Sequence, residues 1–413
     1  MSPRDVRANA SGLSYAILAT RWLKRSRQAA WDEIYDQWDR RLPPAPEIEP
    51  FRYGAFDPGD SFQLLADNAE AFATRYRLFE EARESIDITT YYIQADATGQ
   101  ETARRLAQCA RRGVRVRILV DGIATARKAY EDAAVDQLAA GLRSAGAEFR
   151  VFRDPARPFD ASHRKLLLVD ETTLITGGRN YADHYSGREW RDIDLMLTGP
   201  SARQAQAVVE QTFAQASGYA AKPGSASSGM VQTTTPAGIA ENAGFIYLLQ
   251  CIRACRKTLD IEHAYYMNHS IVHRELAHAR RRGVRVRLLT NSAISNDLDF
   301  TNYRIYAGFP DLLDAGIELH VQVGKGRTLH CKYFVADGEW VGLGSSNLDF
   351  YSPRFCGEAG IHVRSAGLGS LLASWFEEGL RDAERVVSAN EVAAFLRAQT
   401  IGRVFDSRFH DIQ

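Results

Sequence analysis

Two histidines, two lysines and two asparagines recur in this 413-residue chain at one spacing. The first set runs Ser162-His-Arg-Lys-Leu-Leu-Leu-Val-Asp170, passes through Glu171 to Thr176 and closes on Gly177-Gly-Arg-Asn180. The second runs Leu329-His-Cys-Lys-Tyr-Phe-Val-Ala-Asp337, then Gly338 to Leu343, then Gly344-Ser-Ser-Asn347. Both fit H-x-K-x4-D-x6-G-[GS]-x-N without an inserted residue, a pattern that average residue usage would produce on the order of once in 10⁸ starts. An imidazole can attack phosphorus or carry a proton, while an ammonium and an amide can steady phosphate oxygens. Two such sets converging would surround a phosphodiester.

The spacing also dictates geometry. His163 and Lys165, like His330 and Lys332, stand two apart, so on an extended strand they share one face while Arg164 and Cys331 point away. Asp170 and Asp337 open turns that let a second strand return and bring Asn180 and Asn347 beside the His and Lys. Gly178 and Ser345 keep the second position of the Gly-Gly and Gly-Ser pairs small, which lets backbone approach a phosphate closely.

The elements that must hold these groups alternate. Phe62 to Leu65 reads as a strand, 68–83 as a helix, Ile86 to Ile93 as a strand and 100–112 as a helix stopped by Gly113; Val114 to Val120 alternates as a partly buried strand. The order then repeats. A helix over 244–257 leads through Leu259-Asp-Ile261 to Tyr265-Tyr266, and Gly-Val-Arg-Val-Arg occurs after Arg112 and again after Arg282. Asp87 to Asp260 is 173 residues, Gly113 to Gly283 is 170 and His163 to His330 is 167, so three landmarks in register mark an internal duplication. The expected organisation is a helical extension over 1–50, a first domain over 51–218, a Gly- and Ser-rich linker over 219–230 and a second domain over 231–413.

Composition narrows the class. Lys plus Arg equals Asp plus Glu at 51 each, so no global field gathers polyanions and nucleic acid is not a favoured partner. The five cysteines include no CxxC pair, which fits buried thiols and argues against a disulfide framework or a zinc site. No apolar run approaches the roughly 20 residues of a membrane span. A cytoplasmic protein is expected, with lipid contact peripheral. In the extension, Trp31, Ile34, Tyr35 and Trp38 form a stripe beside Arg21, Lys24, Arg25 and Arg27, suited to core packing or to a membrane-surface helix. Arg111-Arg112 and Arg280 to Arg282 end helices, where cations suit the dipole. His184, His263, His269 and His362 lack a partner motif and read as packing or surface residues.

The two motif copies resemble those of the phospholipase D superfamily. That resemblance implies an α/β fold of two homologous domains, each a mixed sheet flanked by helices, packed as a pseudo-dimer around one site. It implies His163 as the nucleophile forming a phosphohistidine and His330 as acid and base, with Lys165, Lys332, Asn180 and Asn347 on the phosphate oxygens. No cofactor or metal is implied, because the two lysines supply positive charge. Asp170 and Asp337 organise the motif. Each histidine also needs an acceptor on its second nitrogen, and the family places an acid on the strand after the motif: Asp192, with Asp194 as a rival, and Glu358.

Within the superfamily the chain looks like bacterial cardiolipin synthases without N-terminal transmembrane helices. Tyr91-Tyr92, Asp183, Tyr185 and Gly344-Ser-Ser-Asn-Leu-Asp349 carry that likeness across about residues 55–385. It implies phosphatidyl transfer between phospholipids such as phosphatidylglycerol, at the inner membrane surface. Hydrolysis by water is the alternative; a metal-independent nuclease and a non-catalytic lipid-binding protein are further rivals. Two departures, Tyr351 where the family usually has Arg and Cys356 where it often has Asn, bear on the choice of acceptor.

Overall fold

The computed structural model describes residues 55–122, 132–157, 160–218, 227–228, 231–234, 243–267, 270–298, 301–324, 327–349 and 351–398. The extension over 1–50 and most of the 219–230 linker lie outside them.

The first half supplies β1 (Ser61–Leu65), β2 (Ser85–Thr90), β3 (Arg115–Asp121), β4 (Glu148–Phe152), β5 (Ala161–Ser162), β6 (Leu166–Val169), β7 (Thr173–Gly177), β8 (Trp190–Arg191) and β9 (Asp194–Thr198). The second supplies β10 (Ser227–Ser228), β11 (Val231–Thr234), β12 (Thr258–His263), β13 (Arg285–Asn291), β14 (Glu318–Gln322), β15 (Thr328–Leu329), β16 (Lys332–Ala336), β17 (Trp340–Gly344), β18 (Cys356–Arg364) and β19 (Ala383–Arg385). One mixed sheet has the order β1-β9-β7-β6-β2-β3-β4, and the other contains β11-β18-β17-β16-β12-β13-β14 in the same sense. The duplication read from landmark spacing is therefore a duplication of sheet topology.

Local chemistry explains the repeated landmarks. Asp67 and Asp96 cap the helices Asn68–Glu81 and Ala97–Arg111, accepting from the N–H groups of Glu70 and Gly99. Gly113 and Gly283 end their helices at φ of 95° and 89°, a region open to glycine at little cost. In the repeated Val-Arg-Val-Arg strands, Arg117 and Arg287 face Asp87 and Asp260 on the adjacent parallel strand, and each pair closes a buried ion pair. Removing one partner of such a pair costs about 3–5 kcal/mol, because the other charge stays buried.

Three sequence expectations shift. The strand expected over Ile86 to Ile93 ends at Thr90, and the tyrosines after it turn into the site. The helix over 244–257 ends at Ala254, where Arg256 and Lys257 give their N–H groups to Asp337. Arg111, Arg280 and Arg281 lie in the last turn of their own helices as expected, while the side chains of Arg112 and Arg282 reach across to a neighbouring helix end, at Glu80 O and Ile252 O, at 3.0 and 2.6 Å.

The halves join through apolar packing and two short ladders. One buried cluster runs from Leu166, Leu168 and Leu195 of the first sheet into Leu259, Leu288 and Tyr333 of the second. β5 pairs in parallel with the start of β18, and β15 with β8, so each half lends a strand to the other at equivalent positions. Among the described residues no helix is long and apolar enough to cross a membrane.

Candidate active site

The two crossing ladders set the histidines. Immediately after β5, the His163 N–H donates to Gly357 O at 2.8 Å; after β15, the His330 N–H donates to Arg191 O at 2.7 Å. Each histidine is thereby tied to the residue that precedes an acid of the opposite half. Nδ1 of His163 lies 3.0 Å from both Glu358 oxygens, and Nδ1 of His330 lies 2.8 Å from Asp192 Oδ2. The sequence pointed to both acids; the crossing of each to the other half's histidine is a tertiary fact. His163, Arg164 and Lys165 are not part of a strand, since the chain is passing between ladders there, so the strict strand-face argument holds only from Lys332 into β16.

Asp194 is not the orienting acid. It receives Arg75 at 2.8 Å and Arg179 at 2.9 Å in a fully buried cluster, turned away from the histidines. Asp192 occupies the break between β8 and β9, not a shared strand face, and its Oδ1 accepts the Ile193 N–H.

The motif glycine and serine serve these acids. A Cβ at Gly178 would stand 2.2 Å from Asp192 Oδ1, so only glycine leaves room for that carboxylate. Ser345 instead donates its hydroxyl to Glu358. The close approach expected at a phosphate is here a close approach to a carboxylate.

Asp170 and Asp337 close the hairpins with φ of 49° and 51°, an uncommon region that Asp tolerates through local hydrogen bonds. Asp170 accepts from the N–H groups of Arg83, Glu84 and Ser85, and Asp337 from those of Arg256, Lys257 and Thr258. These carboxylates stitch each hairpin to the head of β2 or β12.

Lys165 and Lys332 are buried and donate to the carbonyls of His163 and His330. Asn180 accepts from Thr90 Oγ1 and the Tyr91 N–H, both at 3.1 Å, and donates to Tyr185 OH at 2.7 Å. Asn347 differs, for its Oδ1 is buried without a hydrogen-bond partner.

Burial and mutual repulsion set the charges. Burial pushes His163 down to about 4, against the pull of Glu358, and pushes His330 well below its ordinary value, with Lys332 and Lys165 adding to the effect. Burial also lowers Lys165 to about 7, and Lys332 falls in the same direction. The crossed ladders and the two imidazole–carboxylate pairs draw the histidines and lysines of the two halves together at this interface. Despite burial, His163 and Lys165 hold Glu358 below the ordinary carboxylate range. Asp192 moves the other way, up to about 7, because burial outweighs Lys332 and Arg179. Both free imidazoles are thus neutral at pH 7.

Aromatic rings wall this space. Tyr91 meets His163 edge-on at 4.8 Å between centroids, and Trp190 and Tyr185 lie 4.9 and 5.3 Å from His330. Reasoning from the sequence assigned these rings no role. The signal was the tyrosine pair that follows an equivalent strand in each half, Tyr91-Tyr92 and Tyr265-Tyr266. Arg191 and Glu262, joined across the halves at 2.9 Å, were also missed. The Tyr351 and Cys356 departures fall beside the site: Ser352 Oγ accepts the Asn347 N–H, and Cys356 pairs with Ala161.

Comparison with known proteins agrees with this arrangement. A family model described as "Cardiolipin synthase, PLD-like domain" matches residues 76–216 and again 248–380. The cardiolipin synthase of Geobacillus kaustophilus is 28% identical over 340 residues, covering 76% of this chain and 66% of that protein. A probable cardiolipin synthase of Bacillus subtilis is 25% identical over 346 residues, covering 79% and 67%. The chain thus spans about two thirds of the length of these relatives. Among solved structures, the phosphatidylserine synthase of Haemophilus influenzae shares the fold at a TM-score of 0.64 and 16% identity, covering 85% of this chain and 93% of that one. The polyphosphate kinase of Porphyromonas gingivalis does so at 0.55 and 15%, covering 84% and 52%. With two family matches falling on the two halves that lend each other an acid, the chain belongs to the phospholipase D superfamily, in its cardiolipin synthase-like branch.

Proposed function

We propose that this chain is a phospholipid phosphatidyltransferase that works in two steps through a phosphohistidine. The reading is carried by the crossed pairs: each imidazole has Nδ1 held by a carboxylate from the other half, which leaves Nε2 of each ring for chemistry at one phosphorus. His163 attacks phosphorus, the bond to the headgroup oxygen breaks, and His330 gives that oxygen a proton. The entering phosphodiester supplies negative charge beside His330, which favours its protonated form. An incoming hydroxyl then loses its proton to His330 and displaces His163.

Lys165 and Lys332 stabilise charge on the pentacovalent phosphorus in a water-poor site, where such charges act strongly. Asn347, with an unengaged carbonyl oxygen, is free to reorient toward substrate, whereas Asn180 is held by Thr90, Tyr91 and Tyr185. Substrates of the phosphatidylglycerol type, met at the cytoplasmic face of the inner membrane by peripheral contact, fit the family's cardiolipin synthases.

The test is incubation of the purified chain with phosphatidylglycerol, phosphatidylethanolamine and glycerol, with products identified by mass spectrometry. Cardiolipin or another exchanged phospholipid supports transfer; phosphatidic acid alone, regardless of added alcohol, makes the protein a hydrolase. Turnover that survives both His163→Asn and His330→Asn rules this site out.

A further inference from the structure

Behind the catalytic acids the pseudo-symmetry breaks. In the first half Arg75, Arg179 and Asp194 fill the space between the helix Asn68–Glu81 and the sheet, with Arg75 over the Phe72 and Tyr181 rings at 5.2 and 5.9 Å. Arg179 also donates to Asp192 O, steadying the segment that carries the acid. By the spacing of the duplication, the second-half equivalents are Leu248 for Arg75, Ser346 for Arg179, Leu348 for Tyr181 and Gly360 for Asp194.

Every one of these exchanges removes side-chain volume. Their result is a cavity of about 60 Å³ between the helix Ala243–Ala254 and the second sheet, lined by Leu248, Ser346, Leu348 and Gly360 and bounded by Lys332 and Glu358. The same duplication places His263 where Thr90 stands, and His263 lines this cavity as the strand partner of Lys332. His263 is 5% exposed, and its Nδ1 has no hydrogen-bond partner. A buried polar atom left without a partner costs about 1–3 kcal/mol, so it calls for one.

We propose that this cavity is a built hydration site, holding ordered water bound to His263 and lying against Glu358 and Lys332. A water needs about 10–15 Å³ of such space and two to four polar partners, so the chamber takes a few molecules among His263, Ser346 and the two charged walls. Burial holds His263 down at about 3, so its neutral ring accepts at one nitrogen and donates at the other. The water stands where the first half uses fixed guanidinium groups. It gives Glu358 a mobile polar surrounding while His163 passes through its charged states.

The role in turnover rests on the proposed transfer reaction, but the water itself does not. A crystal structure of the full chain at a resolution that shows ordered water, with a matched crystal under xenon, reads occupancy without any assay. Water density within hydrogen-bond distance of His263 Nδ1 and no xenon is expected. An empty or xenon-filled cavity overturns the proposal and leaves the transfer reading untouched.

Leu248→Phe fills the chamber from a helix that carries no motif residue, and Ser346→Val does so from the opposite wall. With the water excluded, kcat is expected to fall about tenfold at unchanged KM, below the 10² to 10⁴ of a direct proton-transfer group, and the melting temperature to change little, the added apolar packing offsetting the cost of leaving His263 without its water. Unchanged kcat in a folded variant shown crystallographically to be dry assigns the cavity to packing and overturns the functional role. If Leu248→Phe fails to fold, Ser346→Val gives the same reading.

Discussion

In the first half, Gly178 makes room for Asp192 and the nearby Arg75, Asp194 and Arg179 lock the surrounding backbone with fixed charges. In the second half Ser345 donates to Glu358, and the guanidinium groups are replaced by Leu248, Ser346 and open space. Both halves nevertheless present an imidazole with its Nδ1 on a buried carboxylate. Duplication has kept the imidazole–carboxylate geometry and let the support behind it diverge, so the two dyads share a shape without sharing an electrostatic environment. Asp192 is pushed up to about 7 by burial while Glu358 is held below its ordinary value by His163 and Lys165.

The sharpest way to break the equivalence is to remove each imidazole. His163→Asn is expected to abolish turnover, with a loss beyond the roughly 10² to 10⁴ that general acid or base help supplies, because the bond to phosphorus can no longer form. His330→Asn should lose proton transfer but still let His163 attack an activated ester. Mass spectrometry of protein quenched in denaturant at neutral to mildly basic pH, where a phosphorus–nitrogen bond persists, should then find the substrate-derived phosphoryl mass on the His163 peptide in His330→Asn and none in His163→Asn. The reverse labelling pattern would exchange the two roles.

Exchanging the small residues tests whether the supports are interchangeable. Gly178→Ser drives a Cβ into Asp192 and should cost about 100-fold or more in kcat, since the displaced carboxylate no longer orients His330. Ser345→Gly deletes one hydroxyl beside a carboxylate that keeps its contact to His163, and should cost about tenfold or less in kcat, the roughly 0.5–1.5 kcal/mol of an ordinary hydrogen bond. Similar kcat values for the two variants would mean that the halves tolerate each other's support after all.

The clamp across the halves is read in stability instead of rate. Glu262→Gln takes away the buried charge partner of Arg191, leaving only the exposed Glu378 at 3.7 Å, and removes an acceptor of the Tyr333 hydroxyl, and should lower stability by about 3 kcal/mol in denaturant melts. The first half has no such pair at the equivalent positions, Thr89 and Gly357, so Thr89→Ala should cost far less.

The pH dependence of stability separates the two dyads further, because His163 and Asp192 pull in opposite directions. His163 falls from 6.5 to about 4, so the folded chain binds fewer protons than the unfolded one between those values. Its contribution is present above 6.5 and lost as pH falls through about 4. Asp192 rises from 3.8 to about 7, so its contribution is present below 3.8 and lost as pH rises through about 7. The melting temperature of Asp192→Asn should therefore gain on wild type as pH rises from 4 to 7, whereas Glu358→Gln, which removes a carboxylate held low, should lose least against wild type at the acid end. Parallel profiles for both variants would show that the two dyads titrate alike.

Much of this was legible in the chain itself. The paired motifs, the duplication and the α/β alternation are statements about spacing, and spacing survives folding: period-two strands, Asp-closed hairpins and glycine helix stops are local, so Asp170, Asp337, Gly113 and Gly283 do what their types dictate. Asp192 and Glu358 were reachable through the family resemblance. Which histidine each acid serves was not, because that depends on β5 and β15 crossing to strands 195 and 138 residues away, measured between the partners they bring together. Nor could spacing tell Asp192 from Asp194, which differ only in what packs against them: Arg75 from one helix and Arg179 from the motif loop claim Asp194, and a ladder from the other half delivers His330 to Asp192. Long-range packing also decided the charges, since the shifts at His163, His330 and the lysines come first from burial, a property no residue has until the two halves close over it.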